Sequence, residues 1–420
     1  MNTSFHNSTV SKKRKTLFLK KVQTYTDSIL KKRKEHNYSF SESSLFVAED
    51  TKYQNTIQKA LVPFLGVKQV VLVGIGGSNL GTEAVYHALK SPNSPALIVL
   101  DSIESDAFVE VEALIKKTRN ASDVAFIVIS KSGGTTETMV NAQKLLALSV
   151  KKFGEADTYA RTIFIGDEGT PFFNAGKKKK ILCIKMPTIV GGRYSVLTAV
   201  GIVPLTLLGI DVASLRKGAT SALSPESISH IHESAVTLAL EAESGTHTVN
   251  FFTFNKRLSL IGYWYRQLLA ESIGKTVTNK KKPFEFALLP AVSTSADLHS
   301  MSELFLSGYQ NMYTHFLSYK EGDTLVSDNS SWILEHLPFL QGKEFESMKD
   351  AIKNGVLQAY DDQKLPYRST ELTNCAPQEI GGLLVSLMLE VMCLAHLLDV
   401  DPFHQPSVEL YKKHTKALLA

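Results

Sequence analysis

Two glycine- and hydroxyl-rich runs in this 420-residue sequence have the composition of anion-binding turns. The first, Gly74-Ile75-Gly76-Gly77-Ser78-Asn79-Leu80-Gly81, follows a β-branched run and opens a helical pattern. Glycines at such a turn let main-chain N–H groups approach a bound anion, and the helix N-terminus adds partial positive charge. The dinucleotide fingerprint would need Gly where Asn79 stands, and the mononucleotide P-loop would need Lys where Thr82 stands. A sugar or its phosphate therefore fits this turn better than a nucleotide. The second run, Ser130-Lys131-Ser132-Gly133-Gly134-Thr135-Thr136-Glu137-Thr138, gathers hydroxyls, a lysine and free N–H groups at one helix start. Many donors with charge complementary to the helix dipole are what a phosphate dianion requires. A Ser/Thr cap would account for one or two of those hydroxyls, not for the cluster.

Proton-moving groups come from three other places. Gly191-Gly192-Arg193-Tyr194-Ser195 presents an arginine on glycines, suited to an anion or oxyanion clamp or, as plainly, to tying a loop carbonyl. Gln267 and Glu271 are four residues apart, hence on one helix face, just before Ser272-Ile273-Gly274-Lys275 ends that helix. His299 and Glu303 have the helical spacing of metal ligands, but no third ligand accompanies them, so no metal is predicted.

Short apolar runs must position these residues. Gln69-Val70-Val71-Leu72-Val73, Ala96-Leu97-Ile98-Val99-Leu100, Val124-Ala125-Phe126-Ile127-Val128-Ile129, Thr162-Ile163-Phe164-Ile165 and Ile181-Leu182-Cys183-Ile184 lack polar alternation, as strands buried on both faces do. A second series begins with Val249-Asn250-Phe251-Phe252-Thr253-Phe254 and a helix over about residues 257–272, then strands at Phe286-Ala287-Leu288-Leu289, Tyr313-Thr314-His315-Phe316-Leu317 and Tyr367-Arg368-Ser369-Thr370-Glu371-Leu372. Residues 213–244, rich in Ala, Ser and Glu, read as helical and separate the two series. The fold class is α/β with mainly parallel sheets covered by helices. The expected division is a basic helical segment at 1–45, a first domain at 46–215, a second at 216–400 and a C-terminal helix at 401–420.

Composition excludes several classes. With 44% hydrophobic and 21% charged residues the chain is neither disordered nor fibrous. Cys183, Cys375 and Cys393 form no C-x-x-C pair, which leaves no disulfide framework or cysteine zinc site and fits a reducing compartment. The first 40 residues hold ten Lys/Arg against Asp27 and Glu35, whereas the rest carries 36 basic and 39 acidic residues. A body-wide nucleic-acid footprint is thus excluded, and the head is read as a solvated amphipathic helix ahead of a nuclear, RNA, membrane or transit signal. Residues 381–398 approach a membrane span in length but contain Glu390 and His396, and a charge near a bilayer centre costs about 3 kcal/mol, so a buried core helix is expected.

Taken together, GIGGSNLG, SKSGGTTET, GGRYSVLTAVGI, QLLAESIGK, ADLHSMSE and QPSVELYKK, in this order from residue 74 to 413, resemble the signature blocks of the phosphoglucose isomerase (glucose-6-phosphate isomerase) family, in its shorter bacterial-type branch. The DLHS form around His299 is typical of that branch. Ser407 stands where the family often has Gly, and Leu197 where an aromatic is common. The resemblance implies two sugar isomerase (SIS) domains of three layers each, sharing a site that interconverts glucose 6-phosphate and fructose 6-phosphate in glycolysis and gluconeogenesis, without metal or cofactor. Matched by motif, Ser130, Ser132 and Thr135 hold the phosphate with Ser78 and Lys131 nearby. Gln267, Gln405 and Gly192 border the sugar. Glu271 is the base that moves a proton between C2 and C1 through a cis-enediol, Arg193 is the cation beside the enediolate, and His299 and Lys412 assist ring opening. The resemblance further implies a cytoplasmic homodimer in which His299 enters the neighbouring subunit's site, with no nucleic-acid or membrane partner. Two other outcomes share the fold: a bifunctional phosphoglucose/phosphomannose isomerase, and a phosphosugar sensor, which would need neither Glu271 nor His299.

Overall fold

Among the described residues of the computed structural model, which are 1–8, 11–33, 38–284, 288–309, 311–322, 325–329, 332–405 and 407–419, ten strands form two five-stranded sheets. An opening strand, β1 (Asn2–His6), belongs to the second sheet. The first sheet comprises β2 (Gln69–Val73), β3 (Ala96–Leu100), β4 (Val124–Ile129), β5 (Thr162–Gly166) and β6 (Leu182–Lys185), in the order β3-β2-β4-β5-β6 and parallel throughout. Every residue of β4 is buried, the consequence of an apolar run with helices on both faces. The chain passes from β2 to β3 on one side and then to β4 on the other. The loops leaving the carboxyl ends of β2 and β4 consequently diverge and leave a crevice, the place where open α/β sheets bind ligands. Both glycine- and hydroxyl-rich runs of the sequence are in those two loops.

The second sheet adds β7 (Thr248–Thr253), β8 (Leu289–Thr294), β9 (Met312–Tyr319) and β10 (Tyr367–Leu372) in the order β1-β10-β9-β7-β8, with only β1 antiparallel. Two readings change here. The strand expected at residues 286–289 is instead Leu289–Thr294: Leu288 is buried outside the strand, and Phe286 and Ala287 lie outside the described residues. Pro290 weakens the sequence signal, yet β8 is an edge strand paired only with β7, where a missing N–H is tolerated. The basic head is also more than a helix, since β1 precedes α1 (Lys12–Lys32) and caps the sheet edge along β10. Helix α1 buries Phe18, Val22, Thr26 and Ile29 and leaves most of its lysines in solvent.

Helices α2 (Leu80–Leu89) and α3 (Thr136–Phe153) open directly from the two loops of the first sheet, and α4 (Ser259–Ile273) follows β7 of the second. Helix α5 (Pro377–Leu397) has the length and apolarity to cross a membrane, but most of it is buried in the core. Glu390, the carboxylate inside its apolar run, receives two bonds from Arg368 of β10, the Nη2 bond being 3.0 Å long. Tyr265 Oη of α4 donates to the same carboxylate at 3.0 Å, and Arg368 also reaches His315 Nδ1 at 2.8 Å. This buried network joins β9, β10, α4 and α5. A last helix, α6 (Val408–Leu419), buries no residue within the single chain.

Candidate active site

The loops after β2 and β6 meet backbone to backbone. A Cβ on Gly77 would lie 2.2 Å from the carbonyl carbon of Gly192, so neither a side chain nor a wider spacing is compatible with this approach. Ser195 Oγ donates to Gly192 O at 2.6 Å and also contacts Gly77 O at 3.2 Å, which pins the turn carrying Arg193. Gly192 itself is exposed, whereas Arg193 is 2% exposed.

A guanidinium that is this buried needs partners for its charge and its donors. Nε donates to Ser272 Oγ at 3.0 Å, Nη1 to Glu271 Oε2 at 3.0 Å and to Gln405 Oε1, and Nη2 to the carbonyl of Pro402. Ser272 Oγ is in turn 2.9 Å from Tyr194 Oη, a buried phenol whose pKa burial pushes up to about 12. The other Glu271 oxygen, Oε1, accepts from Gln267 Nε2 at 2.9 Å, the contact expected of residues four apart on α4. Gly76, at φ +62°, runs close enough that a Cβ there would come within 3.0 Å of Gln267 Nε2. One carboxylate is therefore held by a cation on one oxygen and an amide on the other, while the Glu271 side chain keeps 30% exposure. A cavity of about 440 Å³ reaches it, lined among others by Glu271, Lys275, Asn279, Asp401, His404 and Gln405.

The hydroxyl loop lies outside that cavity's wall. Ser130 Oγ accepts from Gly133 N at 3.1 Å and Ser132 Oγ from Gly134 N at 3.3 Å, so both hydroxyls shape the turn. Thr135 is the N-cap of α3, yet its side chain makes no cap bond. The capping explanation for this residue thereby fails, and its hydroxyl sits at a helix start whose first N–H groups have no helical acceptor. Lys131 turns away from the loop: its ammonium donates to the carbonyls of Thr188 and Val190, the latter at 3.2 Å, and anchors the chain just ahead of Gly191. Ser78 is half-buried in a short helical turn after β2.

Two matched residues stand apart. His299 is exposed at the end of a turn following β8, and among the described residues no hydrogen bond or ion pair joins it to Glu271 or Arg193. Lys412 on α6 pairs with Glu409 at 2.8 Å and likewise makes no bond to Glu271 or Arg193. The structure thus gathers Arg193, Glu271, Gln267, Gln405, Gly192 and the first glycine loop within one chain, and leaves His299 and Lys412 outside that cluster. It also adds residues that the sequence reading passed over. Ser272 is one position from Glu271, so its neighbour was the available signal. Lys275 donates to Glu271 O at 2.7 Å and to His404 O at 2.5 Å, and burial, reinforced by the Arg193 charge, brings its pKa down to about 8.

Comparison with known proteins identifies the family of the chain. The phosphoglucose isomerase family profile matches residues 62–420. The glucose-6-phosphate isomerase of Acholeplasma laidlawii is 30% identical over 383 residues, spanning 88% of this chain and 87% of that protein. A probable glucose-6-phosphate isomerase of Haloarcula marismortui is 28% identical, over 92% of this chain and 85% of that one. Among solved structures, a hypothetical protein of Thermus thermophilus superposes with a TM-score of 0.83 at 25% identity, covering 95% of this chain and 94% of the other. A glucose-6-phosphate isomerase of Chlamydia trachomatis shares the fold, with a TM-score of 0.74 at 18% identity, over 90% of this chain and 74% of that one. A carboxylate braced by a buried arginine beside a cavity, in a chain matched over most of its length, leads to one assignment: this chain belongs to the phosphoglucose isomerase family and is an aldose-ketose isomerase.

Proposed function

We propose that this site interconverts glucose 6-phosphate and fructose 6-phosphate with Glu271 as the base, in the cytoplasm and without metal or cofactor. The observation that carries the reading is the Arg193–Glu271 pair at 3.0 Å beside an open cavity. Removing the C2 proton of the open-chain aldose leaves an enediol with negative charge developing on oxygen. A fixed cation near that oxygen and a carboxylate that takes the proton are the two groups this step requires. Returning the same proton to C1, with the hydroxyl proton passing between O1 and O2, yields the ketose and regenerates the carboxylate, so no co-reactant is consumed. Gln267 orients the carboxylate, Gln405 and Gly192 border the sugar, and residues 130–135 with Ser78 hold the phosphate, Lys131 acting through the loop that it anchors.

Ring opening is assigned to His299 and Lys412, and the exposure of His299, with no bond to Glu271 or Arg193 among the described residues, supports a site completed by His299 of the partner subunit. An exposed apolar surface after β9, with Trp332 at 77%, Phe339 at 67% and Ile333 at 56% exposure, supports a homodimer as well. Two SIS domains, one on each sheet with the boundary near residue 215, frame the site. A coupled assay of fructose 6-phosphate conversion, with mannose 6-phosphate run alongside, tests the function. Turnover of fructose 6-phosphate alone is expected; comparable turnover of mannose 6-phosphate would make the enzyme bifunctional, and turnover of neither would contradict the reading.

A further inference from the structure

Helix α4 continues past Glu271 only to Ile273, and its last carbonyls lack helical partners. Gly274 N takes the Ala270 carbonyl at 2.8 Å, and Lys275 N takes that of Ile273 at 2.8 Å. The Glu271 carbonyl goes instead to the side chain of Lys275, which folds back with Nζ at 2.7 Å from it. A cation there is favoured by the helix dipole. The same ammonium donates at 2.5 Å to the carbonyl of His404, the residue next to Gln405. Lys275 and Arg193 are thus two cationic ties between the same pair of elements. Arg193 joins the side chains of Glu271 and Gln405 from the buried side, and Lys275 joins the main chain behind them from the cavity wall.

We propose that Lys275 is a positioning residue for the isomerisation: its ammonium ties the main chain of Glu271 to the main chain beside Gln405, so that base and sugar-binding amide face the substrate from one frame. The inference rests on the reading of Glu271 as the base. Proton transfer is sensitive to the placement of the base, and a displacement of about 1 Å can cost roughly a hundredfold in rate. The tie also depends on charge, because a charged donor bonds a carbonyl about twice as strongly as a neutral one. The ionisable groups around the amine are Arg193, which with burial favours the neutral form, Asp401 and Glu271, which favour the charged form, and His404 and Lys281 on the same cavity. With a pKa brought down to about 8, the amine is charged below that pH and neutral above it, so the tie weakens as pH rises through 8.

Steady-state kinetics of Lys275→Met and Lys275→Arg in the full-length chain, recorded from pH 6 to 10, test this. Lys275→Met is expected to lower kcat by about 10- to 100-fold with KM changed less than about threefold, since the phosphate loop is untouched. Lys275→Arg keeps a permanent charge and should recover most of the lost kcat, and it should move the alkaline limb of the kcat profile upward by about one pH unit or more. A Lys275→Met kcat within twofold of the parent overturns the proposal, as does an alkaline limb that is the same in parent and Lys275→Arg. Should Lys275→Met fail to fold, the limb of Lys275→Arg decides alone. Glu271→Gln, assayed in parallel, separates the two ideas: if it is active, the reading of the base fails and takes the proposal with it, and if it is inactive while Lys275→Met is normal, only the tie is lost.

Discussion

Arg193 Nη1 and Glu271 Oε2 lie 3.0 Å apart although 78 residues separate them in sequence. One residue comes from the loop after the last strand of the first sheet and the other from the helix after the first long strand of the second. Their bond therefore links elements of both sheets, and under the proposed mechanism the reaction depends on how the two halves are docked. Replacing Arg193 by Lys keeps one charge but cannot reach Ser272, Glu271, Gln405 and Pro402 together. We expect kcat to fall by about 100- to 1,000-fold, the usual loss for one fixed electrostatic donor, measured as kcat and KM for fructose 6-phosphate. A kcat within threefold of the parent would show that the guanidinium does not serve the transition state.

Ser132→Ala combined with Thr135→Ala removes two hydroxyl donors at the start of α3. Each bond to a charged acceptor is worth about 1.5–3 kcal/mol, so inhibition by a phosphorylated sugar acid should weaken by at least about a hundredfold, and KM should rise with it. Unaltered inhibition would place the phosphate elsewhere.

The buried Arg368–Glu390 pair predicts stability rather than rate. Glu390→Gln leaves the Arg368 charge buried without its counter-ion, at a cost of about 3–5 kcal/mol. Urea unfolding should show that loss, with KM for the phosphosugar unchanged at temperatures where the variant is folded. An unchanged urea midpoint would mean that the network contributes nothing net.

Much of this architecture is legible in the sequence because it is encoded locally. The strands of the first sheet are apolar runs without alternation, and each of the two glycine- and hydroxyl-rich loops is one contiguous run of the chain. What escaped depends on partners distant in sequence or on the absence of a pattern. Strand β1, Asn-Thr-Ser-Phe-His, has no apolar periodicity, and its register exists only through pairing with β10. Pro290 hid an edge strand that tolerates it. The bond of Lys275 to Glu271 O lies within the QLLAESIGK block, but its second bond goes to a carbonyl 129 residues away, which no spacing within that block foretells. Glu390 was visible as an oddity in an apolar helix, but Arg368, which explains it, is on another element.

The dimer hypothesis predicts complementation. Chains carrying His299→Ala and chains carrying Glu271→Gln should each be inactive, and subunit exchange between them should restore activity, because a mixed dimer holds one site with both groups intact. Demonstrated exchange without recovered activity would remove the support for a shared site.

The most direct measurement concerns the base itself. Glu271→Gln keeps the size of the side chain and an oxygen for Arg193, and loses the carboxylate proposed to take the C2 proton. Rates of fructose 6-phosphate conversion, measured together with the binding of a phosphorylated sugar acid, should show a fall of at least about a thousandfold in turnover with affinity changed less than about threefold. Retention of more than about a tenth of the parent activity, with binding intact, would contradict the assignment of proton transfer to Glu271.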